Sequence, residues 1–388
     1  MMKSDFSETK NNIKEYAFLN SENIIELIIP EGFEAIGVGA FKNCEKLTKV
    51  TIPKSLKTIG EEAFYGCKNL LKITIPDSVE TIGNAAFSHC RNLMDVKMSQ
   101  NVKKIGNYVF SRCTNLTYVT IPKGLETIGD FAFHDCPSLN DLAIPEKMKA
   151  IGKSAFWGCA NLTLLAIPKG IETIDNYAFY GCKNLRHLNI PEGVKKIGDY
   201  AFCGCKNIKS VIYPESLEQI GRAAFFGCEN LKVLRIPEAV KKIGNLAFAD
   251  CSRLAKITIP ESVCEIGNQT FKGSSGLVTT WYRPENASES QKNILKKTDS
   301  IQETKTKKYH IPLMEYFYWD FVVEAKNREE ALEIYDAFKC KSPYEEKAYE
   351  IVNKKTQIKL KKNDYNWEST IDVEKADYKD TIICEEDE

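Results

Sequence analysis

The chain has 388 residues, 43% of them hydrophobic, and its 53 basic residues balance 53 acidic ones to a formal net charge of zero. That length fits two or three domains of about 150 residues each, with enough apolar residues for a buried core. The missing basic excess argues against a nucleic-acid partner, and no apolar run is long enough for a membrane span.

The opening residues, MMKSDFSETKNNIKEYAF, contain no apolar stretch of the kind a secretory signal uses. A cytoplasmic location is therefore expected, or an extracellular surface if a longer precursor was trimmed. From residue 13 to about residue 277 the sequence then repeats every 23 residues without insertion, about twelve times. Pro recurs at Pro30, Pro53 and Pro76, and again from Pro122 to Pro260, with Ser99 in the gap; an Ile recurs from Ile36 to Ile266 and a Phe from Phe41 to Phe271. Such a period predicts a solenoid, residues 1–280, in which no coil can bury its apolar face alone.

Within one coil, Leu47, Val50 and Ile52 alternate as a short strand that Pro53 closes. Leu56 and Ile59 predict a second extended piece on the opposite wall, and Gly60 a tight corner. Ala63 leaves room for close approach, and Phe64 fills the interior. Ten of the fourteen cysteines, from Cys44 to Cys251, occupy one column that Ser274 closes. A catalytic thiol is needed once, so this column is read as small buried structural thiols. The Cys203–Gly204–Cys205 pair is read as a coincidence of two columns. Asn recurs two residues after the cysteine position, an arrangement in which stacked amides satisfy corner backbone groups. A further column alternates in sign from Glu34 and Lys57 to Glu218 and Lys241, predicting attraction between neighbouring coils.

The coil IPKSLKTIGEEAFYGCKNLLKIT, residues 52–74, resembles the 23-residue leucine-rich repeats of the BspA-like class. The resemblance covers residues 13–277, with departures at Met98–Ser99, Asp175, Ile208, Tyr213–Pro214 and Thr270. It implies a leucine-rich-repeat solenoid of short parallel strands, open and curved, used to bind other macromolecules. Members of the class are often surface adhesins of bacteria or protozoa.

Residues 281–308 read as a polar linker, and 309–388 as a small α+β domain of order β-α-α-β-β. Its elements are an aromatic strand at 314–325, helices opening at Asn327 and Ser342, and strands within TQIKLKK and WESTIDV. No family is assigned to it.

His89, His134 and His187 lie in three different columns, so no ligand cluster forms, and no nucleotide, metalloprotease or hydrolase motif is present. No cofactor or metal is expected, and the chain is read as a non-catalytic protein-interaction scaffold. Two other readings stand beside it: a surface adhesin for host protein or glycan, and an enzyme or regulator whose activity resides in the C-terminal domain. Binding is expected where columns stop agreeing. On the outward strand face, Tyr118, Leu164, His187, Ile212, Val233 and Arg235 combine apolar anchors with an Arg, as interface centres do. The second candidate is an aromatic ridge of Tyr65, Tyr108, Phe131, Trp157, Tyr177, Tyr180, Tyr200 and Phe226, read first as packing and otherwise as a protein- or glycan-binding strip.

Overall fold

A computed structural model describes residues 11–140, 142–274 and 277–281, and five strands beyond them by backbone alone. The chain divides into two compact units, Met1–Asp299 and Ser300–Glu388.

The first unit is a parallel solenoid with two strand walls. The long wall carries three- or four-residue strands from Glu26–Ile28 through Lys49–Thr51 to Val278–Trp281. The short wall carries two-residue strands from Asn12–Ile13 and Ala35–Ile36 to Glu265–Ile266. Register is one coil per strand, as in Glu26 beside Lys49 and Ile36 beside Ile59. Ile266 lies 253 positions after Ile13, which is eleven full turns of 23. A turn wall completes each coil, linked to the next by three backbone bonds, among them Phe41 N to Ala63 O and Phe64 N to Ala86 O, both 2.8 Å.

Inside, the phenyl rings stack face to face along the axis, from Phe18 on Phe41 at 5.1 Å to Phe248 on Phe271 at 5.9 Å. Each buried ring is worth about 2 kcal/mol of transfer free energy. The cysteine column is buried as expected and does more than fill space. Each thiol donates to the carbonyl of the Phe one coil back, as Cys67 to Phe41 at 3.2 Å and Cys136 to Phe110 at 3.0 Å. Ser274 makes the same bond to Phe248 at 3.3 Å, which explains why a hydroxyl closes the column.

The glycines of the short-wall corner have a different role from the one expected. Gly60 does not adopt a left-handed φ; instead, a Cβ there would lie 2.7 Å from the carbonyl carbon of Gly37 in the preceding coil. Close backbone approach lets Gly60 N donate to Ile36 O at 2.8 Å. Asp175 stands in this column, and no equivalent bond to Ile151 is formed among the described residues. The short-wall sheet stops there, Ala150–Ile151 ending one sheet and Thr173–Ile174 starting the next. The long wall has its own interruption beside this one: residues 142–144 form no strand between Tyr118–Thr120 and Leu164–Ala166. A further long-wall break follows Ser210–Ile212, where Tyr213 replaces the usual aliphatic and packs edge-on against Phe225 at 5.9 Å.

The amide ladder forms, with Asn92 Nδ2 donating to Asn69 Oδ1 at 3.0 Å and Asn207 to Asn184 at 3.3 Å. A second ladder, not anticipated, follows the corner: Asn107 N donates to Asn84 Oδ1, Asp130 N to Asn107 Oδ1 and Lys153 N to Asp130 Oδ1, at 2.8–3.0 Å. The charge column pairs Glu34 with Lys57, Glu126 with Lys149 and Glu172 with Lys195 at 2.5–3.5 Å. It thus closes in separate pairs with the Lys one coil on, at three of its five Glu positions; among the described residues Glu80 and Glu218 form no such pair with Lys103 and Lys241.

The second unit holds a five-stranded antiparallel sheet ordered Glu368–Ile371, Ile358–Lys362, Trp319–Ala325, Lys307–Leu313, Cys384–Glu386. The strands within TQIKLKK and WESTIDV are present, as is the 319–325 part of the aromatic strand; 314–318 and both expected helices lie outside the described residues. Lys307 and Lys308, read as the end of a linker, instead belong to a strand that pairs with Ala325 and Glu324.

Candidate functional site

Alternation in the long wall sends Val50, Ile73 and Val96 inward and their neighbours outward, so the outward face is free to vary. Tyr118, Leu164, Ile212 and Val233 stand 57%, 64%, 64% and 56% exposed on it. The ladder sets their spacing: Leu164 lies beside His187, His187 beside Ser210, and Asn189 beside Ile212. His187 and Arg235 are exposed as well, and His187 Nδ1 and Ser210 Oγ are 3.0 Å apart. All six wall residues therefore share one face.

Four further apolar side chains lie on that face: Ile25, Ile28, Leu71 and Met94, exposed between 39% for Met94 and 58% for Ile25. Ile25, Leu71 and Met94 occupy the position directly after the core leucine column, the first of two consecutive outward positions before the strand turns inward again. Their outward, apolar character was readable from the sequence once that third column was included.

The aromatic ridge lies on the turn wall. Tyr108, Phe131, Tyr177 and Tyr200 occupy a corner position held at positive φ of 55–58°. Phe131 stacks on Tyr108 at 4.8 Å and Tyr200 on Tyr177 at 4.7 Å, while Trp157 lies on Tyr180 at 3.7 Å. Phe131, Tyr200 and Phe226 are buried, and Tyr65, Tyr108, Trp157, Tyr177 and Tyr180 half-buried. In these three pairs ring faces are turned toward ring faces of adjacent coils.

His89 packs against the ridge ring of Tyr65, and His134 lies between Phe131 and Trp157. Burial first, then the Arg112 guanidinium, lowers His134 to about 3; burial, then Arg112, Arg91 and Lys68, lowers His89 to about 4. Both are neutral imidazoles at neutral pH, 45 residues apart in sequence. Burial likewise raises the thiols of the cysteine column, Cys44 to about 11 and Cys90 and Cys251 to about 12, which makes them poor nucleophiles and metal ligands. Among the described residues no group of three or more His, Cys, Asp or Glu is placed to hold a metal ion. Among the described residues, too, no helix is long and apolar enough to cross a membrane.

Short parallel strands stacked on two walls, one on each wall per 23-residue coil, with an interior of aliphatic and phenyl columns and a variable outer face, define a leucine-rich-repeat solenoid. The BspA type leucine rich repeat region matches in six copies, over residues 11–122, 103–232 and 195–319, and the chain belongs to that family. A solved leucine-rich repeat protein from Bacteroides ovatus is 26% identical, with TM-score 0.55, over 70% of this chain and 87% of that one. A leucine rich cell surface protein from Faecalibacterium prausnitzii is 28% identical, with TM-score 0.49, over 75% of this chain and 87% of that one. The leucine rich repeat protein of T. pallidum is 34% identical, with TM-score 0.38, over 39% of this chain and 71% of that one. Among curated proteins no relative was found.

Proposed function

We propose that this chain is a non-catalytic interaction scaffold that captures a protein partner on the outward face of the long wall. The observation that carries the reading is the set of exposed apolar side chains there, Tyr118, Leu164, Ile212 and Val233. The repeat fixes its inward columns and leaves these positions unconstrained, and exposing large apolar groups in water has no folding benefit. Membership of a leucine-rich-repeat family supports the same role. A cytoplasmic location belongs to the proposal, and cell fractionation tests it.

The test is a pull-down from lysate with the full chain and with a variant carrying Tyr118→Ser, Leu164→Ser, Ile212→Ser and Val233→Ser, shown by melting to be folded. A partner retained by the native protein and lost from the variant is the expected result. A partner held equally by both would remove the long wall from the reading.

A further inference from the structure

The outward lattice of the long wall changes character along its length. Between Glu26 and Lys97 it is mixed, with Lys49, Lys72 and Lys97 interspersed with Glu26 and Asp95. From Thr163 to Thr258 its outward positions carry Arg186, Lys209, Lys232, Arg235 and Lys256, all exposed, and no carboxylate. Lys209 N donates to Arg186 O at 2.8 Å and Lys256 N to Lys232 O at 3.3 Å, so Arg186 and Lys209 stand on coils in direct contact on one side of the break after Ile212, and Lys232 and Lys256 on the other. At the spacing of stacked strands, about 4.8 Å, their charges repel one another within a single Debye length. The apolar anchors Leu164, Ile212 and Val233 lie among them. Beyond the proline edge the sign reverses: Glu192, Glu215, Glu238 and Glu261 form an exposed column in four successive coils.

From this charge pattern we infer that the partner segment is an acidic polypeptide with aliphatic side chains among its carboxylates, laid across the coils between Leu164 and Lys256. The inference rests on the long-wall reading above and specifies its partner. Carboxylates would relieve the repulsion among the five cations, while aliphatic groups would cover the three anchors. The glutamate column bounds the strip on one side, repelling anything acidic that spreads past the wall, so a narrow extended segment fits and a broad acidic surface does not. A sulfated glycan, a nucleic acid or an anionic membrane would use the cations and leave Leu164, Ile212 and Val233 without a counterpart.

The experiment pans a displayed library of random linear peptides on the immobilised full-length protein. Recovered peptides are synthesised and their dissociation constants measured by fluorescence anisotropy, in low and high salt. Native protein is compared with a charge variant, Lys209→Glu with Lys232→Glu, and an apolar variant, Ile212→Ser with Val233→Ser, each confirmed folded by its melting curve. Heparin and vesicles of phosphatidylcholine with phosphatidylserine are run as separate probes. The expected peptides combine Asp or Glu with Leu, Ile or Val, weaken by about tenfold or more in each variant, and weaken further in high salt. Recovery of no peptide enriched over the charge variant overturns the inference. So does binding of heparin or vesicles that the charge variant abolishes and the apolar variant leaves unchanged. Peptides without acidic residues that still depend on the apolar variant would sink the partner chemistry and leave the interaction wall standing; peptides indifferent to both variants would sink both.

Discussion

Single residues in this chain are best understood as members of columns, and the cysteines show what that changes. Period alone predicted a buried, unreactive thiol, and burial does raise these groups far above the ordinary cysteine range. What the period did not reveal is the hydrogen bond each thiol donates to the preceding Phe carbonyl, because that contact exists only once the coils are stacked. Brief alkylation of the native protein near pH 8 should therefore label the exposed Cys264 and leave Cys44 to Cys251 unlabelled until denaturant is added. Peptide mass spectrometry reads this out, and native labelling of the column would contradict its burial. The histidines give a pH dependence of definite sign. His89 and His134 bind protons in the unfolded chain near pH 6.5 but not until about pH 4 and 3 in the folded one. Their contribution is fully present above pH 6.5 and is lost as pH falls toward 4, at up to about 1.4 kcal/mol per pH unit for each imidazole that titrates only when unfolded. Melting temperature should thus fall between pH 7 and pH 4.5, and His134→Gln should flatten the slope; an equal slope in that variant would put the acid sensitivity elsewhere.

At the scale of the coil, both strands and the inward columns were legible because apolar alternation, proline and period agree. The role of the corner glycine was not, since φ and close approach both call for glycine and only the stacked structure separates them. Close approach is the operative cause, and it leads to a paired prediction. Gly221→Ala would place a Cβ 2.6 Å from the Gly198 carbonyl carbon, forcing the coils apart and breaking the 2.8 Å bond from Gly221 N to Ile197 O. The cost should be about 2 kcal/mol or more. Asp175→Ala, in the same column, should change stability by no more than about 0.5 kcal/mol, because the coil there already lacks that bond. Chemical denaturation of both variants checks the pair, and equal losses would mean that the corner does not limit coil approach. The outward face was only half legible from sequence. Alternation placed Tyr118, Leu164, Ile212 and Val233 outside, whereas Ile25, Leu71 and Met94 stand in a third outward column that alternation does not mark.

For the solenoid as a whole, stability is a sum of contacts between neighbouring coils, so it depends on where those contacts thin out. They thin in one place on both strand walls. The long wall has no strand at 142–144, and the short-wall ladder stops between Ile151 and Thr173. What crosses this seam is the turn wall, through bonds such as Ser154 N to Asn176 O at 3.0 Å and Phe156 N to Ala178 O at 2.8 Å, together with the phenyl stack. Phe156 is the ring that joins the two sides, 5.3 Å from Phe133 and 5.4 Å from Phe179. Truncating it to alanine removes a buried phenyl, a loss of about 3–5 kcal/mol, at an interface where, among the described residues, neither strand wall is laddered. Phe64→Ala deletes an equivalent ring, stacked at 5.3 and 5.4 Å, where the strands around it remain laddered to the next coil on both walls. Scanning calorimetry should then show the solenoid of Phe156→Ala melting in two resolved transitions, one for the coils on each side of the seam, while Phe64→Ala lowers a single one. If both variants melt in one transition lowered by the same amount, the turn wall and remaining core couple the two blocks as firmly as any other pair of coils, and the interruption of the strand ladders has no energetic weight.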